Sequence, residues 1–369
     1  MRLLIITSIF PPEIGGPATY SYQLVQSLNK HYQVTVVTFA KPRAGYQFKV
    51  MTVNKQGSSI SRQWRLLKTI IKAAKMADLF YVQDPLVVGF VSAIASFFYR
   101  KPLVIKFVGD LVWETAQNQG QFSGSLEDFY KLKEFTFSQK LMILMQKLVF
   151  AFATKIITPA KYLKNFLQEN YHTRQEKIVV IQNGVSFNDK HKINKDSKQA
   201  TTVARLVPWK KLDGIIQAIE KFPDLKYQII GDGPQRPKLQ ALIKRAKLRS
   251  RVKLLGNLDS VSVKKALAGS TYFILNSSYE GLPHVLLEAA AYQNVIIAPR
   301  LPGIQEVFSR SEAWLFEPGK LETALKKALR QKALSNQKAR QAKKKVEMSF
   351  NWKTTLSKTV KVLENLNLP

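Results

Sequence analysis

Glu280 and Glu288 stand with seven residues between them in the stretch NSSYEGLPHVLLEAAA, residues 276–291. Ahead of them an apolar run, Tyr272 to Leu275, reads as a short strand, and a small polar loop then carries Glu280-Gly281. Pro283 occupies the place of a first helical turn, and VLLEAAA has good helix propensity. A strand, a glycine-containing turn and a helix N-terminus together offer unpaired N–H groups and the positive end of a helix dipole to an anion. Carboxylates beside such a site suit sugar hydroxyls better than phosphate, because they accept hydrogen bonds from O–H. An ordinary strand–loop–helix unit with one capping and one solvated glutamate has the same local pattern, and this stretch alone does not separate the two.

Two further stretches could meet negative charge. ARLVPWKK (204–211) follows an apolar run, and its Arg205 and Lys210 are spaced by a short turn that would let both close on one diphosphate. The arginine would bind as a bidentate fork and the lysine as a point charge. The loop SIFPPEIGGPATY follows the first apolar run, and Gly15-Gly16 allow close backbone approach where a helix begins near Pro17. Gly231-Asp232-Gly233-Pro234 is a tight turn after another apolar run. There is no Asp-x-Asp, no GxxxxGK[ST], no HExxH and no GxGxxG in either first turn. The four histidines, His31, His172, His191 and His284, have no ligand spacing, and with no cysteine present thiolate zinc sites and disulfides are excluded. Phosphate charge would then be met by arginine, lysine and helix N-termini without a metal.

The elements that must position these residues are legible as an alternation. Residues 2–8, 33–39, 79–82, 103–108, 155–158 and 178–181 read as buried strands, mostly with helical patterns between them. Residues 186–199, polar and without periodicity, read as a linker. The alternation restarts at 201–206, 227–231, 252–256, 271–275, 295–299 and 313–316. Short buried strands between helices predict an α/β chain of two doubly wound parallel-sheet domains, each with its own core, which 369 residues can supply. Ligands of such sheets bind at the strands' C-terminal ends.

Composition bears on partners. There are 57 Lys+Arg against 25 Asp+Glu, a net charge of +32, which favours nucleic acid, an anionic membrane surface or phosphorylated substrates. The uncharged and mostly apolar run Pro85 to Tyr99 is short of the roughly 20 residues a spanning helix needs. The N-terminus lacks the pattern of a signal peptide, so the chain reads as cytoplasmic, or peripheral on the inner face of the plasma membrane. Residues 131–155 mix lysines, aromatics, Met and Leu as a helix lying on an anionic bilayer would, and as a core-packed helix also would.

Taken in order, GG after the first strand, ARLVPWK, IGDGP and EGLPHVLLE resemble the family 4 retaining glycosyltransferases of the GT-B fold, two Rossmann-like domains facing a central cleft. TPAKYLKNFL (158–167), IQNGV (181–185) and PGIQEV (302–307) extend the resemblance over nearly the whole chain. It implies an N-terminal acceptor-binding domain over 1–185, a linker over 186–199, a donor-binding domain over 200–349, and a last helix within 350–369 that packs back on the first domain. It also implies a nucleotide diphosphate-sugar as co-substrate, no metal, and a glycan or lipid-linked acceptor of envelope polysaccharide or glycolipid. Arg205 and Lys210 would bind the diphosphate and stabilise the leaving nucleotide. Glu280, with the backbone of Gly281 and Leu282, would hold the donor sugar, and Glu288 the ribose hydroxyls. Gly15, Gly16 and Gly231 would line the donor's path.

The chain departs from the family pattern at Ala204 and Lys211, where glycines are usual, and at Val108, where many members have a histidine. Asp110, next in GDLVWE, takes a substrate-positioning or proton-accepting role on this reading, or else caps the following helix. A non-catalytic basic protein binding membrane or nucleic acid on a degenerate GT-B fold, a phosphorylase, and a GT-B sugar epimerase are the competing readings. The chain has no aromatic-and-basic recognition motif for nucleic acid.

Overall fold

In a computed structural model, residues 1–13, 15–41, 45–186 and 195–366 are described. The apolar runs become parallel strands because both their faces are covered by helices. The first half runs β1 (Arg2–Thr7), α1 (Gly16–Leu28), β2 (Gln33–Thr38), β3 (Lys49–Thr52), α2 (Ser59–Ala74), β4 (Leu79–Val82), α3 (Gly89–Phe98) and β5 (Leu103–Lys106). It continues with α4 (Leu111–Asn118), α5 (Leu126–Tyr130), α6 (Phe137–Phe152), β6 (Lys155–Thr158), α7 (Lys161–Tyr171) and β7 (Ile178–Val180). Its seven strands lie in the order β3-β2-β1-β4-β5-β6-β7, all parallel. β4 and β5 are buried along their whole length, as central strands should be. The half-exposed edge strand β3 carries no strong apolar run, which is why the sequence pattern missed it.

The second half runs β8 (Asp196–Val203), α8 (Leu212–Glu220), β9 (Lys226–Ile230), α9 (Arg236–Arg245), β10 (Val252–Gly256), α10 (Ser260–Gly269) and β11 (Ser270–Ile274). Then come α11 (His284–Ala291), β12 (Val295–Pro299), α12 (Pro302–Gln305), β13 (Trp314–Phe316), α13 (Leu321–Arg330), α14 (Lys332–Ser349) and α15 (Trp352–Glu364). Its sheet order is β10-β9-β8-β11-β12-β13, again parallel, around a core that includes Ile215, Ile216, Ile229, Ile274 and Ile297. In both sheets the strand order reverses beside the first strand, at β1/β4 and at β8/β11, and each reversal opens a crevice at the strands' C-terminal ends.

The chain forms two compact units whose boundaries differ from the sequence expectation. Unit 1 gathers Met1–Val112, Tyr130–Gln182 and the chain from Leu356, while unit 2 gathers Trp113–Phe129 and Asn183–Thr355. Residues 113–129, expected in the first domain, therefore pack with the second. Of the expected linker, residues 187–194 lie outside the described residues, and 196–199 are already strand, because β8 starts at Asp196 and pairs with β9 and β11. The end of α15 is tied into unit 1, where the Tyr32 hydroxyl donates to Glu364. Among the described residues no helix is long and apolar enough to cross a membrane.

Candidate active site

Within unit 2 the loops after β8 and β11 leave adjacent strands at the reversal, so they meet. Lys210 ends a 3-10 turn, Pro208–Lys210, and its Nζ lies 2.6 Å from Glu280 Oε1. Ser277 Oγ donates to the same oxygen at 2.6 Å. Both charged side chains are largely buried, Lys210 at 17% and Glu280 at 8% exposed, so each depends on the other for compensation. Arg205, on the same loop, is exposed and makes no side-chain hydrogen bond or ion pair among the described residues. Of the sequence-predicted residues, Lys210 and Glu280 are thus in direct contact, and Arg205 stands on the same loop as Lys210.

One backbone and one side-chain hydrogen bond hold the two loops together. Ser278 N–H donates to Trp209 O at 2.8 Å, and Asn276 Nδ2 donates to Lys211 O at 3.1 Å. The Gly231–Pro234 turn props the Arg205 loop from the other side. Leu206 N–H donates to Asp232 O at 3.0 Å, and Gln235 N–H donates to Leu206 O at 3.0 Å. Gly231 is needed there for packing: at φ +128 a Cβ would stand 2.0 Å from Ala204 O. Gly303, in the PGIQEV stretch, presses as closely on the Glu280 loop, where a Cβ would stand 2.3 Å from Glu280 O and 2.2 Å from Gly281 O.

Lys211, which stands where the family usually has glycine, adopts φ 44, ψ 45. The turn keeps the glycine-like shape at the cost of a left-handed side chain, roughly 1–2 kcal/mol. Glycine would lose some of that gain to backbone entropy. Lys211→Gly is therefore expected to raise stability by about 0.5–1 kcal/mol in urea unfolding, with the Lys210–Glu280 pair intact.

Leu282 is buried, and α11 begins just after Pro283, which provides no side-chain cap to its first turn. Its leading N–H groups are accordingly open to an acceptor. Glu288 lies one turn in, its Oε1 3.6 Å from His284 Nδ1, while His284 Nε2 lies 3.1 Å from Gly184 O. Sequence reasoning counted His284 only among scattered histidines; its i, i+4 spacing to Glu288 was the available signal. It also missed Ser277. Trp113, quoted without a role, is buried against Trp209 and Tyr279, with ring centroids 5.3 and 4.7 Å apart. Those two residues precede Lys210 and Glu280 directly, so one indole packs behind both loops.

In unit 1, Gly15 precedes α1 with no side-chain cap, and a Cβ on Gly16 would meet nothing within 4 Å. Asp110, expected to position a substrate, accept a proton or cap the next helix, lies inside unit 1. It is 0% exposed, and its Oδ2 accepts from Tyr171 Oη at 2.6 Å, Tyr130 Oη at 2.9 Å and Gln146 Nε2 at 3.0 Å. A carboxylate enclosed by three donors ties the loop after β5 to α6, α7 and Tyr130, which gives it a part in holding the fold.

Two parallel sheets of Rossmann strand order, the second with a basic and carboxylate site at its reversal, define the chain as α/β of the GT-B class. Residues 186–347 match the family described as glycosyl transferases group 1, and residues 14–189 match Glycosyltransferase Family 4. The chain belongs to the family 4 glycosyltransferases. A component of the human phosphatidylinositol N-acetylglucosaminyltransferase is 26% identical over 100% of this chain and 76% of its own length. An uncharacterised glycosyltransferase of Methanocaldococcus jannaschii is 29% identical over 58% of this chain and 60% of its own. Among solved structures, HepE of Anabaena in complex with UDP-glucose superposes with a TM-score of 0.80 at 20% identity, covering 99% of this chain and 100% of that one. Sucrose-phosphate synthase of Thermosynechococcus elongatus gives 0.81 at 14%, covering 98% of each. These structural likenesses carry the fold.

Proposed function

We propose that the chain is a retaining, metal-independent glycosyltransferase that moves a sugar from a nucleotide diphosphate donor to a glycan or lipid-linked acceptor in envelope polysaccharide or glycolipid assembly. The observation that carries this reading is the Lys210–Glu280 pair beside exposed Arg205, under the uncapped start of α11. A bound donor would exchange partners there. Its diphosphate would take Lys210, Arg205 and the α11 N–H groups, while a sugar hydroxyl would donate to the Glu280 oxygen that Lys210 gives up. Charge develops on the leaving diphosphate as the anomeric bond breaks, so bases already in place lower the barrier without a metal. Glu288 would accept from the ribose hydroxyls. Retention follows from a same-face displacement in which the leaving phosphate helps deprotonate the acceptor. HepE was solved with UDP-glucose and the human relative is named for transfer to a phosphatidylinositol, which supports a nucleotide-sugar donor and a lipid acceptor.

The test is a panel of UDP- and GDP-sugars with EDTA present, reading product and anomeric configuration by NMR. A transferred sugar of unchanged configuration is expected. A requirement for added metal, an inverted product, or an epimerised donor with nothing transferred would each overturn the reading.

A membrane surface as partner is favoured by α6. Phe137, Leu141, Leu144, Leu148 and Phe152 recur at helical spacing on its outer face, with Phe137 at 83% and Leu144 at 53% exposed. Phe97 of α3 extends the patch, its ring 5.5 Å from that of Phe152. α2, α3 and α6 contain no acidic residue, while Lys140 and Lys147 flank the α6 stripe. Apolar side chains flanked by lysines complement an anionic bilayer, so the protein should sediment with phosphatidylglycerol vesicles and much less with phosphatidylcholine. Leu144→Glu with Phe97→Glu is expected to reduce that binding at least tenfold. Unchanged binding, or loss of a dimer in its place, would remove the membrane from the proposal.

A further inference from the structure

Beside the reversal of the unit 1 sheet, the C-terminal ends of neighbouring strands β4 and β5 hold two buried donors without acceptors among the described residues. Lys106 ends β5 and is 1% exposed, and its Nζ has no hydrogen-bond partner among the described residues. Gln83 directly follows β4 and is 5% exposed, and its Nε2 likewise has no partner. The register pairs Val82 with Ile105, so Gln83 and Lys106 occupy the next position on neighbouring strands and share one face of the sheet. Tyr20 of α1 covers that face. Its ring centroid lies 4.8 Å from Lys106 Nζ, and its hydroxyl lies 3.2 Å from that of Tyr81. The strand reaches the surface soon after, since Val108, two residues beyond Lys106, is 38% exposed.

Buried donors are almost always paired, and a buried ammonium without a carboxylate is costlier still. Burial pulls the Lys106 pKa down to about 7, against a usual value near 10.5, so the fold is working against its charge. A methionine would fill the same space without that penalty. Retaining both donors at the C-terminal ends of strands beside the reversal, the edge of an open α/β sheet where ligands bind, points to an acceptor supplied from outside the chain. We propose that Gln83 and Lys106 form an anion subsite in unit 1 that takes a phosphate-class oxygen of a substrate, separate from the diphosphate site of unit 2. In naming a substrate as the source, the proposal rests on the transferase reading; the anion site itself does not.

Lys106→Met and Gln83→Leu test it, with thermal melting in inorganic phosphate, in sodium chloride of equal ionic strength, and in UDP. Without ligand, Lys106→Met is expected to melt higher than wild type, because a penalised charge is gone. Phosphate should raise the wild-type melting temperature more than chloride does, and should lose that effect in either variant, while the shift with UDP persists. Transfer to a phosphate-bearing acceptor should fall at least a hundredfold in Lys106→Met, mainly through the acceptor KM. A phosphate-specific shift lost in the variants upholds the site even where no sugar is transferred, in which case only the substrate assignment falls. Phosphate and chloride acting alike on wild type, or phosphate acting equally on wild type and Lys106→Met, would overturn it and leave an internal water as the occupant.

Discussion

Glu280→Ala is expected to lower kcat/KM for sugar transfer by roughly 10²–10³, the scale for removing a group that acts on the reacting sugar. The geometry makes a sharper forecast than a loss of rate. In the free protein Lys210 Nζ is committed to Glu280 at 2.6 Å, so on the proposed reading a donor would draw the lysine away as its diphosphate binds. Removing the glutamate frees the lysine. Binding of the bare nucleotide diphosphate should then be unchanged or tighter in Glu280→Ala, while it weakens about tenfold in Lys210→Ala, where one charge-assisted contact is missing. The two substitutions should be strongly non-additive, since each single variant leaves its partner buried without compensation. Isothermal titration with UDP or GDP beside steady-state rates reads both quantities. Full transfer activity in Glu280→Ala would remove the carboxylate from the site.

The second large effect concerns folding. Asp110→Ala would leave the hydroxyls of Tyr130 and Tyr171 and the Gln146 amide around an empty acceptor position, at a cost of about 3–5 kcal/mol to unit 1. Asp110→Asn keeps one acceptor oxygen and should cost less, about 1–2 kcal/mol. Burial, and after it the Asp110 charge, pushes both phenols above their ordinary range. The folded state keeps those protons when the unfolded chain releases them. Stability contributed by the network is therefore fully present below about pH 10 and declines as pH rises beyond it, and Asp110→Ala should lessen that decline. Denaturant midpoints between pH 7 and 11 check both statements. An Asp110→Ala protein as stable as wild type but without activity would return Asp110 to a chemical role.

That contrast shows what sequence can carry. The parallel α/β architecture was legible because strands buried on both faces leave unbroken apolar runs, and these recur along the chain with helices between. That Lys210 and Glu280 meet follows from loops leaving adjacent strand ends, while the roles of Arg205, Lys210 and Glu280 rest on the family resemblance. The surroundings of Asp110 were not legible because GDLVWE has the same residues whether its carboxylate faces a cleft or a cage of phenols. The cage is built from Tyr130, Gln146 and Tyr171, which sit 20 to 61 positions away. The allotment of 113–129 to unit 2 was hidden for a similar reason: the partners of Trp113 are Trp209 and Tyr279, far along the chain. Edge strand β3 and the early start of β8 were missed because half-exposed strand residues carry little apolar signal.

The assembly of unit 1 from three separate segments sets an order for biosynthesis. Residues from 356 onward leave the ribosome only after all of unit 2 has been translated, yet they supply the Thr359 hydroxyl that bonds Tyr20 and the Glu364 carboxylate that receives the Tyr32 proton donor. The nascent N-terminal sheet must therefore wait with its α1 side unfinished, while unit 2 can complete its own core first. A chain stopped just before Leu356 would keep the whole of unit 2 and still leave unit 1 without the segment that covers α1.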